Sequence, residues 1–203
     1  MYKKLTGLGS YSFGESCYKT HKPLPIRVGD KTYYVHGGSC LDPAITDADV
    51  YVGFDHGMSP MPFKGVDLLP ENIYFDIPDM SVPSNAVLFK KLVQLIAKKL
   101  KADLKVHVGC IGGHGRTGTF LAALVADMTG DKDAISYVRK GYCSSAVETT
   151  AQERYLAKHF GCEIPSGSFS EHGFHQPTLI PPVDMSKAFT IDPEAIPQHL
   201  MIL

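Results

Sequence analysis

No apolar run in this 203-residue chain approaches the length of a membrane span, so no transmembrane segment is predicted. Neither sign of charge predominates: 20 lysines and arginines stand against 21 acidic residues, for a formal net charge of −1. That balance leaves no basic footprint for a nucleic acid, and none is expected as a partner. Cysteines are few and odd in number, at positions 17, 40, 110, 143 and 162, with no paired spacing. This excludes a disulfide scaffold and zinc knuckles, and suits a reducing compartment. The opening residues, Met1 to Gly7, lack the apolar core of a signal peptide. Together these absences predict a soluble, cytoplasmic protein with no metal site, no cofactor and no membrane contact.

What is present is enough for one good core, since 44% of the residues are hydrophobic. Pro25–Val28 and Lys31–Val35 flank Gly29-Asp30, a two-residue hairpin signal. Val50–Phe54 and Ile73–Phe75 read as further strands, and Leu104–Val108 as a buried one. A helix is predicted after Ser84, with Leu88, Leu92, Leu95, Ile96 and Leu100 on its apolar face and lysines 90, 91, 98, 99 and 101 on a solvated one. Shorter helices are predicted from about Asp131 to Lys140, and from a Ser145–Glu148 capping box to about Phe160, with Gly161 as the stop. The fold class expected is α/β, a mostly parallel central sheet flanked by helices, with the site at a strand C-terminus.

One stretch concentrates the chemistry: Cys110-Ile111-Gly112-Gly113-His114-Gly115-Arg116-Thr117-Gly118. A strand leads in, and Thr119–Ala126 leads out with helical apolar spacing, so a cysteine sits where a helix N-terminus points at it. Unpaired amides and the helix dipole at such a junction bind anions and favour thiolate over thiol. Glycines 112, 113 and 115 permit turns that aim successive N–H groups inward. The guanidinium of Arg116 offers a planar fork for two phosphate oxygens. The hydroxyl of Thr117 is within reach of the sulfur in sequence terms and is expected to donate to it.

This C-x-x-G-x-G-R-T-G pattern resembles the phosphate loop of the cysteine-dependent protein phosphatases, in their tyrosine and dual-specificity branch. The resemblance covers about residues 24–160 and implies a catalytic domain within residues 1–160. It implies Cys110 as nucleophile, with Ile111, Gly112, Gly113, His114, Gly115 and Arg116 binding the substrate phosphate. The family usually has histidine directly before the cysteine; here that position is Gly109, and the nearest histidine is His107.

The resemblance also implies a general acid. Ile77-Pro78-Asp79-Met80-Ser81-Val82-Pro83 matches the family's aromatic-Pro-Asp-x-x-x-Pro loop, with Ile77 where tryptophan often stands. Asp79 is therefore the expected acid, one predicted helix ahead of the nucleophile; Asp76 is the competitor, inside a strand-like run. Val147-Glu148-Thr149-Thr150-Ala151-Gln152 resembles the family's V-Q-T-x-x-Q segment, with Glu148 replacing the first glutamine and Gln152 in the place of the second, which positions the hydrolytic water.

A phosphoprotein or phosphopeptide is the substrate class the loop favours, because its only basic variable residue is His114. Two alternatives stay open: a phosphatase of a nucleotide or RNA 5′ phosphate, and a phosphoprotein-binding domain without turnover. His36, His56, Tyr34 and Phe63 are candidate pocket-lining residues whose ordinary reading is packing or surface. From Gly161 to Leu203 the chain carries six of its 14 prolines and little periodicity. Such a proline-rich arm suits disorder, packing along the domain, or docking on a partner.

Overall fold

The computed structural model describes residues 21–56 and 70–166. Five strands, β1 (Leu24–Val28), β2 (Lys31–Ser39), β3 (Val50–Gly53), β4 (Glu71–Tyr74) and β5 (Val106–Cys110), form one sheet in the order β1-β2-β5-β3-β4. Only the β1–β2 hairpin is antiparallel, and Gly29 turns it with φ 59°. The pairs β2–β5, β3–β5 and β3–β4 are parallel, as the alternation of strands and helices predicts. β5 lies between two parallel neighbours, and all five of its residues are buried. The carboxyl end of this central strand is Cys110.

Four helices accompany the sheet: α1 (Ala86–Lys101), α2 (Gly115–Thr129), α3 (Ala134–Gly141) and α4 (Thr150–Phe160). α2 packs on the other three helices and on β1, β2 and β5. Only Asp127 and Thr129 of its fifteen residues escape burial, which explains why its sequence is small or apolar on nearly every side. Rings from three elements meet beneath the site: Phe54 after β3, Phe89 on α1 and Phe120 on α2. The Phe54–Phe120 and Phe89–Phe120 centroids lie 5.4 and 5.8 Å apart.

Three expectations need correction. The buried stripe of α1 runs through Phe89, Leu92, Val93, Ile96, Ala97 and Leu100, while Leu88 and Leu95 are exposed. The helix is rotated so that Phe89, rather than Leu88, reaches the aromatic cluster. Its lysines are not all solvated either, because Lys99 forms an ion pair with Glu71 of β4. α3 begins at Ala134 rather than near Asp131, whose carboxylate instead accepts the Asp133 N–H in the preceding turn.

The last helix starts at Thr150, not after Ser145. Val147 has φ 59°, a left-handed conformation that no helix interior accepts and that a β-branched residue adopts only under constraint. Arg139 of α3 supplies that constraint by donating to the carbonyls of Ala146 and Val147 and to Glu153 Oε1. The true capping box is Thr149 with Gln152: Thr149 Oγ1 accepts the Gln152 N–H, and Gln152 Oε1 accepts the Thr149 N–H. Past Gly161 the chain still holds to this domain. Cys162 is buried and the Glu163 N–H donates to the Lys132 carbonyl. The proline-rich arm beyond residue 166, together with Cys17 and Phe63, lies outside the described residues.

Candidate active site

β5 delivers Cys110 to a turn that enters α2, and the sulfur-bearing residue is only 3% exposed. Its N–H donates to Thr117 Oγ1 at 2.9 Å. Thr117 therefore ties the start of α2 to the end of β5 through the backbone; the bond observed is to the Cys110 amide, where the sequence led us to expect one to the thiol. α2 begins at Gly115 with His114 as N-cap, and no side chain of that cap and no acidic residue of its first turn competes for the helix's leading amides.

The glycines of the loop differ in what they do. Gly113 alone needs conformational freedom, with φ 74°. Its carbonyl accepts the buried Tyr142 hydroxyl at 2.6 Å, which pins the crown of the loop to the end of α3. Gly115 is needed for room, because a Cβ there would come within 2.3 Å of Glu148 Oε2 and 3.1 Å of Gln152 Nε2. Tyr142 was not anticipated as a site residue. No local pattern marks it in the sequence; in the fold, Gly37 makes room for its ring, since a Cβ there would lie 2.6 Å from it.

Gly109 also has a steric reason. A Cβ there would lie 2.7 Å from the Cys40 nitrogen and the Ser39 carbonyl carbon, and 2.8 Å from the Gly38 oxygen, all backbone of β2 and its extension. The usual histidine cannot be accommodated beside this close strand pair. His107 does not replace it: it lies on the same strand face as position 109 but two residues earlier, where its ring packs against Tyr51. Burial, aided by His36, pushes His107 down to about 4, and its Nε2 has no hydrogen-bond partner among the described residues. Cys40 donates its N–H to the Cys110 carbonyl at 2.8 Å. Burial first, then the neighbouring Cys110, pushes its thiol up to about 11, so Cys40 stays protonated at neutral pH.

Arg116 is 3% exposed and fully engaged. One terminal nitrogen meets the Ile77 carbonyl at 2.8 Å, Asp55 Oδ2 at 3.0 Å and the Phe54 carbonyl at 3.3 Å. The other lies 2.9 Å from Asp79 Oδ1. Burial opposes the guanidinium's charge, but the Asp55 hydrogen bond and the charges of Cys110, Asp79 and Asp55 outweigh it and raise its pKa. The arginine thus joins the phosphate loop to the loop that carries the candidate acid.

Asp79 and Asp76 separate cleanly. Asp79 Oδ1 contacts Arg116, and Asp79 lines a cavity of about 260 Å³ together with Cys110, Ile111, Gly112, His114 and Arg116. Asp76 Oδ1 instead lies 3.4 Å from His56 Nε2, and His56 is also held by the Tyr74 hydroxyl. Met80, with φ 56°, follows Asp79 and completes one wall; Glu148 and Gln152 complete the other. Gln152 is fully buried, and its Nε2 donates to the Ser81 carbonyl at 3.2 Å, so the residue that caps α4 also holds the acid loop. Neither His36, His56 nor Tyr34 reaches this cavity.

The described arrangement sets a thiol, a charged guanidinium and a carboxylate around one small polar hollow at a helix N-terminus. Such a set can bind a tetrahedral oxyanion, attack it with sulfur, and exchange a proton with its leaving oxygen.

Residues 61–130, which include Asp79 and the whole of the phosphate loop, match the family described as "Polymorphic toxin system, DSP-PTPase phosphatase". Two uncharacterized proteins of Methanocaldococcus jannaschii are 40% and 39% identical to this chain over 87 residues, 43% of its length. The matches cover 54% and 58% of those proteins, so the chain spans little more than half the length of the curated relatives it matches. Among solved structures, Tk-PTP in its active form is similar, with 26% identity, a TM-score of 0.49, and coverage of 57% of this chain and 80% of the other.

Proposed function

We propose that this chain is a phosphatase of the tyrosine/dual-specificity type that hydrolyses phosphate monoesters through a phosphocysteine at Cys110, a reading supported by the family match over residues 61–130. The observation that carries this reading is the convergence of Cys110, Arg116 and Asp79 on one cavity at the N-terminus of α2. Cys110 Sγ attacks phosphorus as a thiolate; an S–P bond forms and the ester P–O bond breaks. Asp79 gives its proton to the departing oxygen, then takes one from the water that cleaves the S–P bond and releases inorganic phosphate.

Arg116 changes partner during this cycle. The nitrogen that holds Asp79 is the one free to turn to a phosphate oxygen, since the other is anchored by Asp55 and two carbonyls. A bound phosphate dianion displaces the Asp79 carboxylate from the fork; away from the guanidinium it takes a proton from solvent and carries it to the leaving group. Capture of substrate and readiness of the acid are thereby coupled through one side chain.

A phosphotyrosyl protein or peptide suits the rim best. Ile111 and Met80 are each 45% exposed and offer apolar flanks to an aromatic ring. Arg116 and His114 are the only basic residues lining the cavity among the described residues, and Glu148 adds a negative charge, which disfavours polyanions such as a 5′-triphosphate. Gly109 gives no support to a domain that binds without turnover, because the fold requires glycine there. A panel of phosphotyrosyl and phosphoseryl peptides, phosphoinositides and RNA 5′-triphosphate tests the reading. Preferential release of phosphate from the phosphotyrosyl peptide is expected. Turnover confined to the RNA or lipid substrates rejects the protein-substrate reading, and no turnover on any, with retained vanadate binding, rejects the enzyme.

A further inference from the structure

At the edge of the cavity, His114 meets two side chains that hydrolysis does not use. His21, just before β1, His114, the N-cap of α2, and Cys143, just after α3, each present one donor atom, all within 4.8 Å of one another. We propose that these three residues bind a divalent late transition metal of the zinc type, beside the phosphate loop.

The donor set argues for that class of ion. Two imidazoles and a thiolate match the borderline-soft preference of zinc, whereas calcium and magnesium require oxygen ligands. With Zn–N near ~2.0 Å and Zn–S near ~2.3 Å, a tetrahedral ion holds its donors roughly 3.5 Å apart. Binding would draw the present cluster, whose donors lie within 4.8 Å of one another, in to that spacing. Three protein donors leave a fourth position for water or an anion.

Two further observations set this apart from chance packing. Both ring nitrogens of His21 are shut away from solvent with no hydrogen-bond partner among the described residues. The ring's edge contact with Tyr142, at 4.4 Å between centroids, accounts for its carbons but satisfies neither nitrogen. The frame is also braced: Tyr142, next to Cys143, bonds the carbonyl of Gly113, next to His114, so two of the donors are held at a set separation. Glu148 Oε1 lies 3.9 Å from His114 Nδ1, where a carboxylate can take the second N–H of a ligating imidazole. On binding, the Cys143 thiol passes its proton to solvent and its sulfur bonds the metal, with no change of oxidation state. The ion then links the segment before β1 to the phosphate loop.

The experiment is a titration of the full-length, reduced, metal-free protein with Co²⁺ as the optical probe, followed by Zn²⁺ competition. One equivalent should bind, with a thiolate-to-cobalt charge-transfer band and tetrahedral d–d absorption that Zn²⁺ abolishes. Cys143→Ser should remove the charge-transfer band. His21→Ala, which lies ahead of the first strand and leaves the core intact, should weaken affinity by more than the ~10–100-fold that loss of an outer-shell partner costs. Cys110→Ser should leave the band in place. A band that survives Cys143→Ser, a band lost in Cys110→Ser, or unchanged affinity in His21→Ala would overturn the assignment. None of these readouts depends on turnover.

Discussion

Cys110 and Asp79 face one cavity from surroundings that share little. The cysteine side is 3% exposed, ends a strand buried between two others, and is braced by Thr117, Tyr142 and the backbone of β2. The Asp79 side chain is 71% exposed and sits on a loop held at a few points: Arg116 at Asp79 itself, Gln152 at Ser81, and the Ile77 carbonyl. In the proposed mechanism, binding an oxyanion draws on amides and one anchored guanidinium arm that do not reorganise, and these belong to the core. In the proposed mechanism, donating a proton to a departing group demands access and a change of partner, which a lightly tethered segment allows Asp79. Arg116 belongs to both regions and is the hinge of the comparison.

The deepest break comes from the rigid side. Cys110→Ser should lower kcat on the order of 10⁴–10⁶-fold, the scale seen when a catalytic nucleophile is removed, while vanadate binding measured calorimetrically persists. Activity near that of the parent would mean that Cys110 is not the nucleophile. The tethered side should matter less and more selectively. Asp79→Asn should slow phosphotyrosine-type substrates by ~10²–10⁴-fold and activated aryl phosphates far less, because a good leaving group needs no proton. It should also flatten the alkaline limb of the pH–rate profile, where a general acid has lost its proton. Asp76→Asn should do neither, since Asp76 pairs with His56; leaving-group dependence in that variant would move the acid by three residues.

Arg116→Lys tests the hinge. A point charge cannot hold Asp55 and the two carbonyls with one arm and phosphate with the other, so ~2–4 kcal/mol of transition-state stabilisation should be lost in kcat/KM. Beneath the cup, His107 makes stability pH-dependent. Its folded value of about 4 lies below the unfolded 6.5, so the unfolded chain binds the extra proton first. Stability is full above pH 6.5 and should fall as acid carries the protein toward pH 4, by up to ~3 kcal/mol from this residue. Denaturant midpoints across that window should show a shallower slope in His107→Asn. The smallest effect expected is from Gly109→Ala, whose methyl meets β2 backbone and should cost about 1–3 kcal/mol by overpacking. Urea unfolding reads that loss, and an unchanged midpoint would show that the strands can part.

The order and kind of the elements were readable because each carries its own periodicity: the Gly29-Asp30 hairpin, the apolar repeat of α1, and the strand–loop–helix around Cys110. The loop residues Ile111, Gly112, His114 and Arg116 were readable for the same reason, being contiguous and converging on the cavity with Cys110. The start of α4 was not. Ser145-x-x-Glu148 and Thr149-x-x-Gln152 are equally good local capping patterns. What selects the second is Arg139, from another helix, holding Val147 out of helical conformation. The lean of α1 toward Phe89 was likewise set by ring partners on α2 and α4, Phe120, Tyr155 and Phe160, that helical spacing does not encode.

By itself, then, the sequence determined the α/β class, the mostly parallel sheet, and a cysteine and arginine spaced to close one loop, since those follow from local periodicity and contiguous residues. Tertiary structure decided which aspartate meets the arginine, why position 109 must be glycine, and that Tyr142 braces the loop crown. It also brought His21, His114 and Cys143 together. Each of these is a contact between residues far apart in the chain, where the space left by other elements, rather than spacing along the backbone, selects the partner.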